Sequence, residues 1–168
     1  MAIESRRERL RREMTDEIIS AARLLLEKGG PTAITGRAIA RQLGVTAPAI
    51  YRYFPNLDAL IRALNESVIS ELCAALDSTR ERASGMAAAF RGWVLDHPAS
   101  FKFVLGLTSR HPGGHGLMER LPQLPGHDES TLRWAALCGL ALLELGYAQE
   151  DPPEDFGPLY AAAAELST

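Results

Sequence analysis

Two groups of residues have the side chains from which sites are built: the histidines and cysteines, and a run of Thr, Arg and Tyr between residues 35 and 56. The first group is poorly spaced for chemistry. His97, His111, His115 and His127 are scattered, and His111-Pro-Gly-Gly-His115 sits in a Gly/Pro-rich stretch over 108–127 that reads as loop. A metal needs three or four ligands on firm supports, and no Cys or carboxylate is placed to complete such a set. Cys73 and Cys138 form neither a disulfide framework nor a ligand pair. Cys138 lies in an apolar helix, where a thiol is ordinarily inert packing. There is no Gly-rich phosphate loop, nucleophile elbow or carboxylate pair. No catalytic residue, metal or cofactor is expected, and enzyme is the weakest class.

The second group has an order with physical meaning. Thr35 is a plausible N-cap, and Ile39, Ala40 and Leu43 face one way before Gly44 breaks the pattern. Thr46 can cap a second short helix over 47–54, whose inner face carries Ile50 and Phe54, with Pro48 in its first turn. Two short helices joined by Gly44-Val45-Thr46 make a helix-turn-helix. Such a motif lays its second helix in the major groove of double-stranded DNA, N-terminal residues nearest the base edges. Thr46, Ala47, Pro48 and Ala49 hold that position, and the small apolar side chains among them suit thymine methyls and groove shape. Arg52, one turn on, is the long donor available for a guanine. Tyr51 and Tyr53 offer hydroxyls to phosphates, and Thr35 and Arg37 suit phosphates at the start of the preceding helix. The plainer alternatives are tyrosines packed on the first helix, threonines that only cap, and a solvated Arg37.

The positioning elements all read as helix, and no strand-like alternation stands out. Ser5-Arg6-Arg7-Glu8 has capping-box spacing, and Met14, Ile18, Ala22, Leu25 and Leu26 continue as one stripe to the Gly29-Gly30-Pro31 stop. Asn56 caps a long helix from Leu57 to about Thr79, and Gly85 marks a break. Residues 86–96 and 98–107 read as helices hinged at His97-Pro98; Ser130 caps a very apolar helix to about Tyr147, and Phe156 to Leu166 forms the last one. At 168 residues the chain suits a small head on a modest helical body. Its net charge of −3 hides an asymmetry: residues 1–62 carry 11 Lys+Arg against 7 Asp+Glu, giving +4, and the remaining residues give −7. The longest charge-free apolar run, Trp134 to Leu143, is half the roughly twenty residues of a membrane span. The Arg- and Glu-rich start has no secretory apolar stretch, so a cytoplasmic protein is expected.

The run from Ala33 to Asn56, extended through Leu57-Asp58-Ala59-Leu60, resembles the TetR family of bacterial transcriptional regulators. Phe90-Arg91-Gly92-Trp93 with His97-Pro98, and Trp134-Ala-Ala-Leu-Cys138-Gly139, are similar to the signature of a subgroup that often carries His where this chain has Cys138. Leu57 stands where many members have a phosphate-contacting Lys. The resemblance implies an all-α fold: a three-helix DNA-binding head over 1–56, with Asn56 among its DNA-binding residues, and a ligand-binding helical bundle over 57–168. It further implies a homodimer through the last two helices, and a repressor released from a palindromic operator by a small-molecule effector. The all-round apolar character of 134–143 independently favours a partner subunit. The body's candidate pocket takes Trp93, Phe101, Phe103, Trp134, Cys138 and Leu142, with His97 or Arg110 as polar anchors. The second reading is a helical module that binds a small molecule or protein partner and no longer engages DNA.

Overall fold

The structure is a computed structural model, and it describes residues 5–77, 79, 83–106, 131–147 and 155–166. All regular structure among them is helical: α1 Arg6–Gly29, a single 3₁₀ turn Pro31–Ala33, α2 Gly36–Leu43, α3 Ala47–Tyr51, α4 Leu57–Asp77, α5 Ala83–Asp96, α6 Pro98–Val104, α7 Thr131–Tyr147 and α8 Gly157–Ala164. None is long and apolar enough to cross a membrane. His111, His115, His127, Arg110 and Ser130 lie outside the described residues, as does the Gly/Pro-rich stretch 108–127.

The described residues group into two compact units: residues 5–68 with 102–106, and those of 69–101 with 131–147 and 155–166. The units divide within α4, between Val68 and Ile69, whereas the division by function read from sequence lies between residues 56 and 57.

In the first unit, local chemistry sets each helix end. Ser5 and Glu8 form the full capping box that starts α1: the Glu8 N–H donates to Ser5 Oγ, and the Ser5 N–H donates to Glu8 Oε2 at 2.9 Å. The Ser5 hydroxyl, which donates to Glu8 Oε2 at 2.7 Å, and the Ser5 N–H hold the Glu8 carboxyl below its ordinary pKa. Gly30, at φ +70°, closes the helix by donating its N–H to Leu26 O. The Ala38 N–H donates to Thr35 Oγ1 at 3.1 Å to start α2, and the Ala59 N–H donates to Asn56 Oδ1 at 2.8 Å to start α4. Packing of α1 on α2 and of α2 on α3 buries Ile18, Ala22, Leu26, Ile39, Ala40 and Ile50. The buried α4 stripe Leu60, Ile61, Leu64 and Val68 belongs to the same unit.

In the second unit α5 packs on α7 and α8, and α7 on α8. Phe90 is fully buried and meets Phe101 and Trp134 edge-to-face, each with ring centroids 5.7 Å apart. Arg91 ties the three helices together. Its Nε donates to both oxygens of Glu144 and its Nη2 to Oε1 at 2.6 Å; the guanidinium also lies 3.5 Å from Asp155 and stands over the Tyr160 ring. The structure corrects two expectations. Gly85 lies inside α5 instead of breaking the chain, because its helix begins at Ala83. The second helix of the motif is regular only to Tyr51; residues 52–54 close it with a tighter turn, in which the Arg52 N–H reaches Ala49 O and the Tyr53 N–H reaches Ile50 O.

Candidate nucleic-acid interface

The head brings α2, the turn and α3 together with the geometry a helix-turn-helix requires. Gly44 adopts the left-handed conformation (φ +67°, ψ 25°), which a side chain would strain, and donates its N–H to Ala40 O. The Val45 N–H donates to the same carbonyl at 2.9 Å, so the chain reverses within three residues. Ile50 is 1% exposed and anchors α3, while Thr46 and Pro48 face solvent and Ala47 and Ala49 are half-buried. Thr46 occupies the N-cap position, but its side chain makes no capping hydrogen bond, contrary to the expected cap; only its carbonyl is used, by the Ala49 N–H. The hydroxyl is therefore not committed to the helix end.

The phosphate candidates are placed unequally. Thr35 and Arg37 are exposed at the N-terminus of α2, although Thr35 Oγ1 already accepts from Ala38. Tyr51 is half exposed, and its hydroxyl lies directly over Gly36: a Cβ there would come within 2.8 Å of it. Gly36 thus lets α3's tyrosine cross the start of α2, a contact that sequence reasoning missed because nothing local links the two positions. Tyr53 is half-buried with the Arg11 guanidinium over its ring, 5.6 Å from the centroid. Arg52 is exposed. Leu57, standing where the resemblance has a Lys, is half-buried.

Residues 18–64, which hold all of this arrangement except Arg11, match the family model described as bacterial regulatory proteins, tetR family. The chain is 30% identical over 153 residues to the HTH-type transcriptional regulator Rv1816 of Mycobacterium tuberculosis, covering 86% of this chain and 64% of that protein. Over residues 18–64 the chain is similar to the tetR family. It spans less than two thirds of that relative's length. The fold is similar to the crystal structure of SCO4313, with a TM-score of 0.73 at 22% identity, covering 96% of this chain and 98% of that one. It is also similar to the multidrug binding protein EbrR complexed with imidazole, with a TM-score of 0.67 at 16% identity, covering 93% and 90%. The sharp turn, the short α3 and the small residues along its exposed edge all lie within the matched residues.

The structure places the pocket candidates as follows. Trp93 is buried and its indole N–H donates to Glu71 Oε1 at 3.2 Å; His97 Nε2 lies 3.4 Å from the same oxygen. Phe101 and Trp134 are buried in the aromatic cluster with Phe90, and Phe103 is buried in the first unit. Leu142 and Cys138 are half-buried. Trp134 Nε1 is buried with no hydrogen-bond partner among the described residues. A groove of about 280 Å³ in this unit is lined by Ala88, Arg91, Leu95 and Tyr160 among others, and by none of the sequence-read candidates. Among the described residues no group of three His, Cys, Asp or Glu is arranged to hold a metal.

Burial raises the Cys138 thiol from 9.0 to about 11 and, with Glu144 nearby, pushes the Tyr160 phenol further above its ordinary 10.0. Both groups stay neutral in the fold and ionise more readily in the unfolded chain. Their contribution is complete below about pH 9, and for Cys138 it is lost as pH rises through about 11. Thermal melts from neutral to alkaline pH should show the melting temperature falling above about pH 9. In a Cys73→Ser background, Cys138 should resist alkylation until the protein unfolds. Rapid labelling of the native protein at pH 8 would contradict the burial.

Proposed function

We propose that this chain is a dimeric, DNA-binding transcriptional regulator, a repressor that leaves a palindromic operator when a small molecule binds its second unit. The observation that carries the reading is the head: α3 is anchored by Ile50 and presents Thr46, Pro48 and Arg52 outward from a tight turn. Thr46, Ala47, Pro48 and Ala49 meet base edges, Arg52 supplies the bidentate donor, and Thr35, Arg37, Tyr51, Tyr53 and Asn56 serve the backbone around them. So short a helix reads few base pairs, and a two-fold dimer doubles the reading with half-sites about 34 Å apart.

The second unit supports the dimer through α7. Leu132, Ala135, Gly139, Leu143 and Gly146 recur along one exposed face, an apolar stripe that the protomer leaves in water. The effector reading rests on the candidate residues of the second unit, where Trp134 holds a buried donor that a ligand acceptor would satisfy. Binding there would favour a spacing of the two heads that no longer fits successive grooves. Because α4 contributes residues to both units, it is the lever.

The test begins with selection of duplexes from a random library by the wild-type chain, followed by mobility shifts of the selected duplex across a salt series. One palindromic sequence should emerge, bound with steep salt dependence. Arg52→Ala should weaken binding by about 1–3 kcal/mol and relax preference at one position of each half-site. A folded chain that selects no duplex at low salt would instead be a ligand- or partner-binding module.

A further inference from the structure

A basic groove of the first unit joins Arg52 and Tyr53, at the end of the helix-turn-helix, to arginines of α1 that the sequence reading left out of it. The groove, of about 460 Å³, runs between the first turns of α1 and the end of α3, lined by Arg6, Arg7, Leu10, Arg11, Arg52 and Tyr53. We propose that this groove is a second, sequence-independent DNA contact, in which Arg6, Arg7 and Arg11 hold backbone phosphates that flank the base pairs read by α3. The proposal rests on the DNA-binding reading above and extends it from Arg52 and Tyr53 to the first turns of α1.

Four arginines line the groove, and the carboxylates of Glu8 and Glu13 are engaged elsewhere. Glu8 is held by Ser5 in the capping box, and Glu13 pairs with Arg9. Among the described residues no carboxylate forms an ion pair with Arg6, Arg7, Arg11 or Arg52. The location makes this costly for the fold, because cations in the first turns of a helix oppose the positive end of its dipole. A local arrangement that works against its own helix is the kind a protein keeps for a ligand, and an anion removes the conflict. Arg11 is already oriented by stacking on the Tyr53 ring, which lowers the ordering its phosphate contact requires. Guanidinium forks match phosphate oxygens two at a time.

Continuity selects the nucleic-acid backbone over a free anion. Arg52 forms one wall of the groove and directly follows α3, so a strand whose bases face Thr46 to Ala49 passes Arg52 into the groove. Leu10, 53% exposed, gives a deoxyribose an apolar surface between the charges. The α1 arginines also compensate for Leu57, where the family resemblance has a phosphate-contacting lysine. Nothing local announced the groove: residues 6–11 and 52–53 are forty positions apart, and only folding brings them to one place.

The experiment uses the full chain, the Arg6→Gln/Arg7→Gln/Arg11→Gln variant and the corresponding triple Lys variant. The probes are the wild-type-selected duplex in two lengths, its core alone and the core with about ten extra base pairs on each side. Ser5 and Glu8 remain, and circular dichroism confirms that each variant keeps its helices. The Gln variant should bind the long duplex at least tenfold more weakly, with unchanged sequence preference and a salt slope reduced by about one for each phosphate it no longer holds. The short duplex should show little difference, and the Lys variant should recover most of the slope. Equal binding of the long duplex by wild-type and Gln variant, with equal slopes, overturns the proposal. So does an equal weakening on both lengths, which would put the arginines inside the core. Saturable binding of inorganic phosphate to the groove without any loss of duplex affinity in the Gln variant identifies a small-anion site and overturns it as well. A wild-type chain that selects no duplex defeats the DNA-binding reading itself, a failure distinct from the other three.

Discussion

Substituting Leu143 by arginine is expected to leave a folded monomer that binds its operator one-hundredfold or more weakly. The protomer has little reason to resist the change. Leu143 is 56% exposed on α7, and Leu132, on the same face, is 53% exposed. Between them a Cβ added at Gly139 would meet no atom within 4 Å, and the same holds at Gly146. Arginine is also a good helix former, so neither Leu143→Arg nor Gly139→Arg penalises α7 in isolation. A dimer interface, in contrast, buries about 800 Å² on each partner and excludes water from its centre. A two-fold axis near these small residues would bring two unpaired guanidinium groups together there, and an unpaired buried charge costs several kcal/mol. Loss of the partner removes the second half-site, and with it an avidity of about 10²–10⁴. Sedimentation equilibrium should report a monomer for both arginine variants and a dimer for Leu143→Met, with melting temperatures compared at matched concentration. Leu143→Arg that remains dimeric would remove the α7 stripe from the interface.

The features legible in the sequence are those whose cause lies within one or two helical turns. The Ser5–Glu8 capping box, the Gly30 stop, the Thr35 and Asn56 caps and the left-handed Gly44 all depend on neighbours three or four residues away. The heptad-like spacing of Leu60, Ile61, Leu64 and Val68 likewise carries its own burial pattern. Illegible features are those in which distant segments meet. Tyr51 crosses Gly36 at a distance no residue between them dictates. Glu71 of α4 receives the indole N–H of Trp93 of α5 across 22 positions of sequence, a pairing that no local pattern announces. The end of α3 shows the same limit on a smaller scale: Ile50 and Phe54 fit one helical face, yet residues 52–54 tighten into a turn that still buries both. Periodicity sees which side chains go inside; it does not distinguish a continued helix from a turn that delivers the same two residues to the core.

That distinction matters most for the aromatic residues of the second unit, because core and pocket share one composition. Phe90→Ala separates them by free energy. Phe90 is fully buried, with Phe101 and Trp134 both edge-to-face against it at 5.7 Å. In a filled core its truncation removes the transfer energy of the ring, leaves a cavity and forfeits two aromatic pairs, for a loss of about 3–5 kcal/mol. Against a typical total stability of about 5–15 kcal/mol this would lower the denaturation midpoint sharply without changing the slope. If an effector space already adjoined the cluster, the neighbours could relax into it and the loss would fall toward about 2 kcal/mol. The packing in the structure predicts the larger figure, measurable by urea unfolding of the wild-type chain and the variant. A filled cluster also constrains how an effector could act here. Entry beside Trp134 would require displacing a packed ring, so the ligand's binding energy must supply that displacement, and its differential affinity for the displaced state is what would move the heads. A loss near 2 kcal/mol would show that the space exists before the ligand arrives, and would reject the displacement mechanism.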